Sequence, residues 1–410
     1  MSLFTALSGL LAAQDGLDAI SNNLANANTV GFKSGSALFS DLFSGASANA
    51  PGEGVTDQEI QQDFSQGTQE STGNPLDLEI QGNGFFVVQN QGQNSFTRDG
   101  AFHLSPSGQL QTASGKAVLG FGTNANGTSN GILSPIVVPN TNQTSQATST
   151  VSLSAALNTA DPVITSTFNE QNSKTFDEST SVTAFDSLGN ANHVQLFFVQ
   201  NKSSGSGSAT TPGTWTVFAQ PENANGSAIG SATNLTTLTF NSSGVLQSGG
   251  SATLNVNWNN GAAPSTIAFN FANTSLGAQS FAVGSSKSNG FGPGAFSSAT
   301  ISNTGQIQAN FSNGQKVTVG NVALATFINN QGLIPESQNL FSSSENSGQP
   351  AFNIPGAGTS GTLVSGSLEQ SNVQTSNELV QLLNFQQAYQ ANTSVLQGDQ
   401  QDIQKLLQLN

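Results

Sequence analysis

The sequence predicts a multidomain α+β protein. Terminal α-helical coiled-coil segments flank antiparallel all-β middle domains, barrel- or sandwich-like, one of them inserted in the other. Three observations predict this fold class. Seven-residue apolar ladders occupy both ends of the chain, a strand-like pattern fills the middle, and an eight-residue motif with a fixed glycine occurs three times within that middle.

The N-terminal segment from Ser2 to Ala27 contains no proline, and its leucines recur with a helical period. A helix of about 25 residues, roughly 37 Å long at 1.5 Å per residue, accounts for the pattern. Because a lone helix of this kind is marginal in water, its apolar stripe needs partner helices. The predicted interface residues of this helix are Leu3, Leu7, Leu10, Leu17 and Leu24.

The C-terminal segment from Asn372 to Leu409 also lacks proline and carries a second seven-residue ladder. Both ends therefore have the pattern of coiled-coil seams. The alternative, a helix that packs on the core of its own domain, stays open. Two such helices at opposite ends of a chain with a different period between them favour a subunit interface. Its predicted residues in this helix are Leu379, Leu382, Tyr389, Leu396 and Ile403.

Between Thr72 and Leu363 the chain has short runs of β-branched and aromatic residues, bounded by Gly, Asn, Ser or Pro. An internal repeat supports antiparallel hairpins. Its copies place a glycine where a loop built on a type I turn needs positive φ. The copies are LSPSGQLQ with Gly108, FNSSGVLQ with Gly244 and ISNTGQIQ with Gly305.

Composition shifts along the chain predict the domain boundaries. Glycine- and serine-rich stretches at 43–51 and 203–213 have the composition of flexible segments. We expect paired terminal helices at 1–32 and 370–410, linkers at 33–71 and 364–369, an inner β domain at 72–147 and 288–363, and an inserted outer β domain at 148–287.

Charge and composition exclude several classes of function. With 8 Lys and Arg against 23 Asp and Glu, the net charge is −15, which excludes a basic nucleic-acid surface. The absence of cysteine excludes disulfides and thiolate sites. No apolar run approaches the roughly 18 residues of a membrane span, so no membrane insertion is expected. The first 32 residues lack Lys and Arg, so we expect export without a cleaved signal peptide.

No catalytic, cofactor-binding or metal-binding residue is predicted, because no motif for such chemistry occurs. Asp77 and Glu79 lie on one face of a strand, where a solvated pair is expected. Arg98 is the only arginine. Two interpretations of it stay open: a specific salt bridge, with Asp99 or a carboxylate elsewhere, or an exposed turn residue.

Both ends carry recognisable signatures. SGLLAAQDGLDAISNNLANANTVGFK (Ser8 to Lys33) closely resembles the N-terminal signature of the bacterial flagellar axial proteins that form the rod and hook. GSLEQSNVQTSNELVQLLNFQQAYQANTSVLQ (Gly366 to Gln397) resembles the matching C-terminal signature. NPLDLEIQGNGFFVV (Asn74 to Val88), together with FTRDGAFHLSPSGQL (Phe96 to Leu110), is similar to the family's common central β domain.

The resemblance implies a structural protein, not an enzyme, without cofactors. The large insert fits the hook members best, which implies a homopolymer that forms a curved, flexible tube and transmits torque from rod to filament as a universal joint. In such a subunit Gly31, Phe32 and Lys33 begin the link from the terminal helix to the β body.

The same resemblance implies a location in the flagellar basal body and hook, outside the cell. The implied partners are the chain itself, the distal rod protein, the hook cap protein, the hook-filament junction protein and the flagellar type III export apparatus. Two alternatives stay open. The first is a distal rod subunit of the same family, for which the insert would have to be dispensable. The second is a secreted β-rich adhesin, which would explain the Asn/Ser/Thr-rich surface but not the paired ladders at the two ends.

Overall fold

The computed structural model describes residues 2–43, 52–90, 92–124, 129–201 and 213–408. The two glycine- and serine-rich stretches lie almost wholly outside the described residues. In chain order the elements are α1 (Ser2–Ala25), β1 (Gly35–Phe43), β2 (Gly52–Gln62), β3 (Gln69–Ser71), β4 (Leu78–Gln81), β5 (Phe85–Asn90), β6 (Gln93–Thr97), β7 (Phe102–Leu104), β8 (Leu110–Thr112), β9 (Ala117–Thr123), β10 (Ser129–Pro135), β11 (Thr150–Asn158), β12 (Glu178–Phe185), β13 (Ala191–Gln200), β14 (Thr214–Glu222), β15 (Thr233–Phe240), β16 (Leu246–Ser248), β17 (Ser251–Val256), β18 (Ser265–Asn270), β19 (Ser275–Gly277), β20 (Ala282–Ser288), β21 (Phe296–Ile301), β22 (Gln306–Phe311), β23 (Lys316–Val322), β24 (Leu324–Thr326), β25 (Ile334–Glu336), β26 (Leu340–Ser342), β27 (Ala351–Asn353), β28 (Thr362–Ser365), β29 (Ser367–Glu369) and α2 (Thr375–Gln408).

The chain divides into two compact units, each assembled from separated segments. The first, here called the helix–β unit, comprises Met1–Asn140, Ser298–Asn310 and Lys316–Asn410. The second, here called the inserted unit, comprises Thr141–Ser297 and Phe311–Gln315. The predicted fold class, terminal helices with mostly antiparallel β domains between them, is confirmed.

The helix–β unit holds both helices and a sheet that runs β22-β23-β9-β5-β6-β26-β25. Phenylalanine and small aliphatic side chains form its core, with Phe85 and Phe96 both about 1 % exposed. Residues 33–71, expected to be a linker, contain the β1–β2 hairpin, which is paired from Gly35 opposite Gln62 to Phe43 opposite Gly52. The described part of residues 33–71 therefore consists mostly of paired strands.

The inserted unit has two five-stranded sheets that share one core. One sheet runs β12-β13-β14-β15-β16, and the other joins β17, β18, β11, β19 and β20. Alternate side chains point into the core, where Trp215, Phe198 and Phe271 are fully buried. This is a sandwich, one of the two architectures expected for the middle domains.

Two short parallel ladders depart from the expected antiparallel pattern: β11 pairs in parallel with β18 and with β19. Parallel pairing requires a long crossover connection. The whole β12–β16 sheet lies between β11 and β18 in sequence and provides that connection.

All three repeats form the predicted hairpins. Gly108, Gly244 and Gly305 have φ of 81°, 75° and 75°. In each loop the glycine N–H donates to the carbonyl three residues earlier, at 2.9 to 3.0 Å. The glycine carbonyl then accepts an N–H from a further segment, Val138, Leu276 or Val322 respectively, at 2.8 to 2.9 Å. The same loop therefore ties each hairpin to a third segment.

Candidate functional site: the terminal helices and their junction with the β body

The two terminal helices pack antiparallel along a seam of small residues. The backbone at Gly9 lies against the side chain of Asn392, and that at Gly16 against the ring of Phe385. Further along, the Asn23 Nδ2 donates to Glu378 Oε2 at 3.3 Å. Together with Gly9, the buried α1 residues Ala6, Ala13, Gly16, Ile20 and Asn23 continue this seam at spacings of three and four.

The predicted interface leucines of α1 therefore flank the seam instead of forming it. Leu3, Leu10, Leu17 and Leu24 are half-buried beside it, whereas Leu7 is exposed. On α2, Leu382 and Leu396 are half-buried, and Leu379, Tyr389 and Ile403 are 49 %, 37 % and 50 % exposed. Phe4, Leu11, Val380, Leu383 and Val395 add to the exposed apolar surface.

Two asparagines of the terminal signatures bind the start of β1. Asn23 donates from Nδ2 to the Gly35 carbonyl at 2.8 Å and accepts the Gly35 N–H at 2.9 Å. Asn372, just before α2, accepts the Ser34 N–H at 2.8 Å and donates to the Asp63 carbonyl at 2.7 Å. Side-chain amides thus satisfy backbone groups that irregular chain would otherwise leave unpaired. Both residues lie within the terminal signatures, but nothing in the sequence predicts this role for either.

Gly31, Phe32 and Lys33 lie where the chain from α1 meets the strands of the helix–β unit, here called the β body. Gly31 has φ of +68°, and a Cβ atom there would lie 2.4 Å from the Asp99 nitrogen, so only glycine fits. Its N–H donates to the Glu369 carbonyl at 2.7 Å. Phe32 is half-buried and Lys33 is buried.

A buried cluster of three charges joins this segment to the β body. Glu369 accepts from Lys33 Nζ at 2.5 Å through Oε1 and from Arg98 Nη1 at 3.1 Å through Oε2. The side chains of Lys33 and Glu369 are 0 % exposed and that of Arg98 is 5 % exposed. We call these three residues the junction triad.

Backbone groups supply further hydrogen bonds to the junction triad. Lys33 Nζ donates to the Ser65 carbonyl at 2.5 Å, and Arg98 Nη2 donates to the Gly82 carbonyl at 2.7 Å. Glu369 Oε1 also accepts the Gly67 N–H at 3.0 Å. Burial lowers the pKa of Lys33 and of Arg98, and in both cases the charge of Glu369 opposes the change. Every charge in the triad therefore has a partner, as burial demands.

Of the two interpretations of Arg98, the salt bridge is correct and the exposed turn residue is wrong. Its partner is Glu369, and the neighbouring Asp99 instead accepts the Ala101 N–H at 2.9 Å. The expectation that Asp77 and Glu79 are solvated is also wrong, because they are 8 % and 1 % exposed.

Glu79 lies next to the junction triad and is only partly satisfied. Its Oε1 accepts from Gln66 Nε2 at 2.9 Å, and its Oε2 has no hydrogen-bond partner within the described chain. Burial raises the pKa of Glu79, and the charge of Glu369 raises it further, while Gln66 and Arg98 act in the opposite direction.

Within the ranges that the structure describes, no group of three His, Cys, Asp or Glu residues could hold a metal ion. Nor does any described helix combine the length and the apolar character that crossing a membrane takes.

Four family models match successive parts of the chain. They are the flagella basal body rod protein at residues 3–33, the flagellar hook protein FlgE/F/G D1 domain at 79–155, the flagellar basal body protein FlaE D2 domain at 152–291, and the flagellar basal body rod FlgEFG protein C-terminal at 364–409. The match at 3–33 covers α1 and the segment that follows it up to Lys33. The match at 364–409 covers α2 and the segment that precedes it.

Similar proteins extend over the full length. The flagellar hook proteins FlgE of Salmonella typhimurium and Escherichia coli are 35 % and 36 % identical, covering 100 % of both chains in each comparison. The chain belongs to the flagellar hook protein FlgE family. A FlgE relative from Treponema pallidum is 28 % identical over 100 % of this chain and 99 % of its own length.

A solved structure supports the FlgE fold independently. The flagellar hook protein FlgE2 of Helicobacter pylori matches with a TM-score of 0.57 and 16 % identity, covering 73 % of this chain and 100 % of that chain. The family-model matches at 3–33 and 364–409 confirm the resemblance of the two terminal signatures to flagellar axial proteins. FlgE proteins are structural components of the flagellum, and this chain shares that class.

Proposed function

We propose that this chain is the structural subunit of the bacterial flagellar hook, a homopolymer that forms a curved, flexible tube and transmits torque from rod to filament as a universal joint. The observation that carries the proposal is the full-length similarity to flagellar hook proteins, including the inserted domain at 152–291.

Exposed apolar residues on both helices support polymerisation through the helix pair. Leu7 and Leu11 of α1 are 41 % and 52 % exposed, and Leu383 and Ile403 of α2 are 56 % and 50 % exposed. Burying such a side chain contributes about 1.5–3 kcal/mol. Because the small-residue seam already joins α1 to α2, we infer that these exposed residues contact helices of other copies. The half-buried residues beside the seam belong to the same proposed interface: Leu3, Leu10, Leu17, Leu24, Leu382 and Leu396.

The nearly uncharged surface suits a tube that bends. Charged residues make up 8 % of the chain, against about 25 % in an ordinary domain. Amide and hydroxyl groups can exchange partners with one another or with water as neighbouring copies slide, whereas a buried charge without a partner is costly. We therefore assign bending contacts to the β units.

We assign the chain to the hook outside the cell, exported by the flagellar type III apparatus without a cleaved signal peptide. Its other proposed partners are the distal rod protein, the hook cap protein and the hook-filament junction protein. The chain acts mechanically and not as an enzyme. The two alternatives, a distal rod subunit and an adhesin, have no support in the comparisons, since the full-length relatives are hook proteins.

Electron microscopy of cells that lack this chain, and of cells in which it is restored, tests the proposal. We expect rods without hooks in the first case and short curved tubes in the second, together with recovered motility. Tubes assembled from the restored chain but straight in every cell would favour the distal rod subunit. Normal hooks in cells that lack the chain would contradict the proposal.

A further inference from the structure

Three separated chain segments meet at the junction triad. Lys33 follows α1, Glu369 precedes α2, and Arg98 lies directly after β6 in the β body. Both connections between the helix pair and the β body therefore pass through one buried point. Glu369 is the residue that binds both cations, at 2.5 and 3.1 Å.

Net stability is a weak explanation for this arrangement. Taking charged groups out of water carries a large penalty, and apolar residues of similar volume often replace a buried ion pair without loss of stability. Apolar contacts, unlike hydrogen bonds, do not fix the orientation of the groups that they join. The junction triad fixes its members through side-chain and backbone hydrogen bonds, including those of Lys33 to Ser65 and of Arg98 to Gly82.

Backbone contacts around the junction triad restrain the same orientation. The Gly31 N–H donates to the Glu369 carbonyl at 2.7 Å, so the residue that carries the shared carboxylate is also held through its main chain. Gly31 itself lies against the backbone of Arg98 and Asp99. Rotation of the helix pair about the junction would break several of these bonds together.

We propose that the junction triad is a positioning element, with Glu369 at its centre, that sets the orientation of the helix pair on the β body and thereby the shape of the polymer. It contributes orientation more than stability. The link to polymer shape rests on the proposed hook function, whereas the orientation itself is a property of the single chain.

The single chain offers a direct test because it contains no cysteine. Spin labels on Gln14→Cys in α1 and Ala113→Cys in the β body, both exposed positions, give the distribution of distances between helix and body. The junction is altered in two ways. The triple variant Lys33→Met/Arg98→Met/Glu369→Leu makes it apolar, and Glu369→Asp keeps the charge but moves the carboxylate back by one methylene.

We expect a narrow distance distribution in the parent and one at least twice as wide in the triple variant, with the denaturant midpoint unchanged or raised. Glu369→Asp is expected to shift or widen the distribution as well, and it serves as the test if the triple variant does not fold. The control Lys316→Met/Glu345→Gln removes exposed charges of both signs from the same unit and should leave the width unchanged.

A parent distribution as wide as that of the variants, or variants as narrow and as centred as the parent, would overturn the positioning role. Hook curvature is the second readout. If the parent forms curved tubes and the altered junction gives tubes of the same curvature, the link to polymer shape is wrong. If the parent forms no tubes, the hook function fails, and the distance distributions still decide the positioning role.

Discussion

At Gly16 the α1 backbone approaches α2 so closely that a Cβ atom would lie 2.5 Å from the Phe385 ring. We expect Gly16→Leu to separate the helices and to destabilise the helix pair by about 1–3 kcal/mol, the usual range for overpacking. Gly398→Leu is the matched control, since a Cβ atom there would have no atom within 4 Å apart from its own helix backbone, and leucine favours helix over glycine by about 1 kcal/mol.

Thermal melting followed by circular dichroism at 222 nm measures both changes. The close seam requires that Gly16→Leu lowers the helix melting temperature and that Gly398→Leu leaves it unchanged or raises it. Equal effects of the two substitutions would mean that the helices do not pack at Gly16.

Glu79 makes stability depend on pH in a defined direction. Its pKa is raised in the folded chain by burial and by Glu369, so the folded state retains a proton that the unfolded state loses near the ordinary value of 4.5. Stability therefore falls as pH rises above about 4.5 and levels off once the folded carboxyl has ionised.

Glu79→Gln imitates the protonated carboxyl and should remove this contribution. Because other buried carboxyls also titrate, the quantity to measure is the difference in urea midpoint between the parent and Glu79→Gln from pH 4 to pH 8. We expect the variant to gain relative to the parent as pH rises. A constant difference over the whole range would show that Glu79 ionises normally.

Residue-level contacts are also where sequence reasoning fell short. Leucine at every seventh position predicts helices because the period is visible as a pattern of hydropathy. Glycine does not stand out in such a pattern, so the seam at Gly9 and Gly16 was not predicted. Arg98 and Glu369 are 271 positions apart, so no spacing rule joins them. For Glu79, strand alternation gives the face but not what covers that face.

At the scale of elements, the α2 ladder offers a test of the proposed interface between copies. Leu396→Asp places a charge where we infer a dry contact between helices, at a large energetic cost. We expect loss of tubes in electron micrographs with an unchanged β-sheet signal in circular dichroism. Gln397→Asp, on the exposed neighbouring position, is the control and should still give tubes. Normal polymerisation of Leu396→Asp would remove this residue from the interface.

The repeated hairpins give a second test at this scale. Gly108 and Gly115 have similar positive φ, 81° and 78°. A Cβ atom at Gly108 would lie 2.1 Å from the Val138 carbonyl oxygen, whereas a Cβ atom at Gly115 would have no neighbouring atom within 4 Å. Alanine in the left-handed region costs about 1–2 kcal/mol at either position. Gly108→Ala should therefore lower the urea midpoint clearly more than Gly115→Ala. Equal losses would mean that backbone conformation alone requires these glycines.

The hairpins and helices were the most predictable elements, for a local reason. A turn glycine and a seven-residue period each act within a few residues, and the loops at Gly108, Gly244 and Gly305 followed the expectation. The β1–β2 hairpin was missed because its strands carry polar residues on both faces and lack the alternation that marks a half-buried strand.

At the scale of the whole molecule, the two ends of the insert lie side by side. Its entering and leaving segments pair with each other, Gln143 with Gly294 and Gln146 with Phe291, through hydrogen bonds of 2.7–3.1 Å. A short Gly/Ser linker can therefore close the chain in place of residues 148–287.

We predict that this replacement still allows export and polymerisation, but gives tubes that are straight or wrongly curved. We expect the insert to be the outermost domain of the tube. Neighbouring outermost domains must slide the furthest when the tube bends, so their contacts limit the curvatures that can form. Microscopy of cells that carry the replacement measures this. Hooks of normal curvature would show that the insert does not govern bending, and complete absence of tubes would place it in the assembly core.

Burial of Lys33 and Arg98 also bears on digestion of the chain by trypsin, which cleaves after lysine and arginine. These two residues are the only such sites in the first 115 positions, and both lie in the closed junction. Lys174, by contrast, is exposed in the folded chain. A fragment that ends at Lys33 therefore reports opening of the junction. At trypsin concentrations where cleavage outpaces reclosing, the rate at which this fragment accumulates equals the rate at which the junction opens.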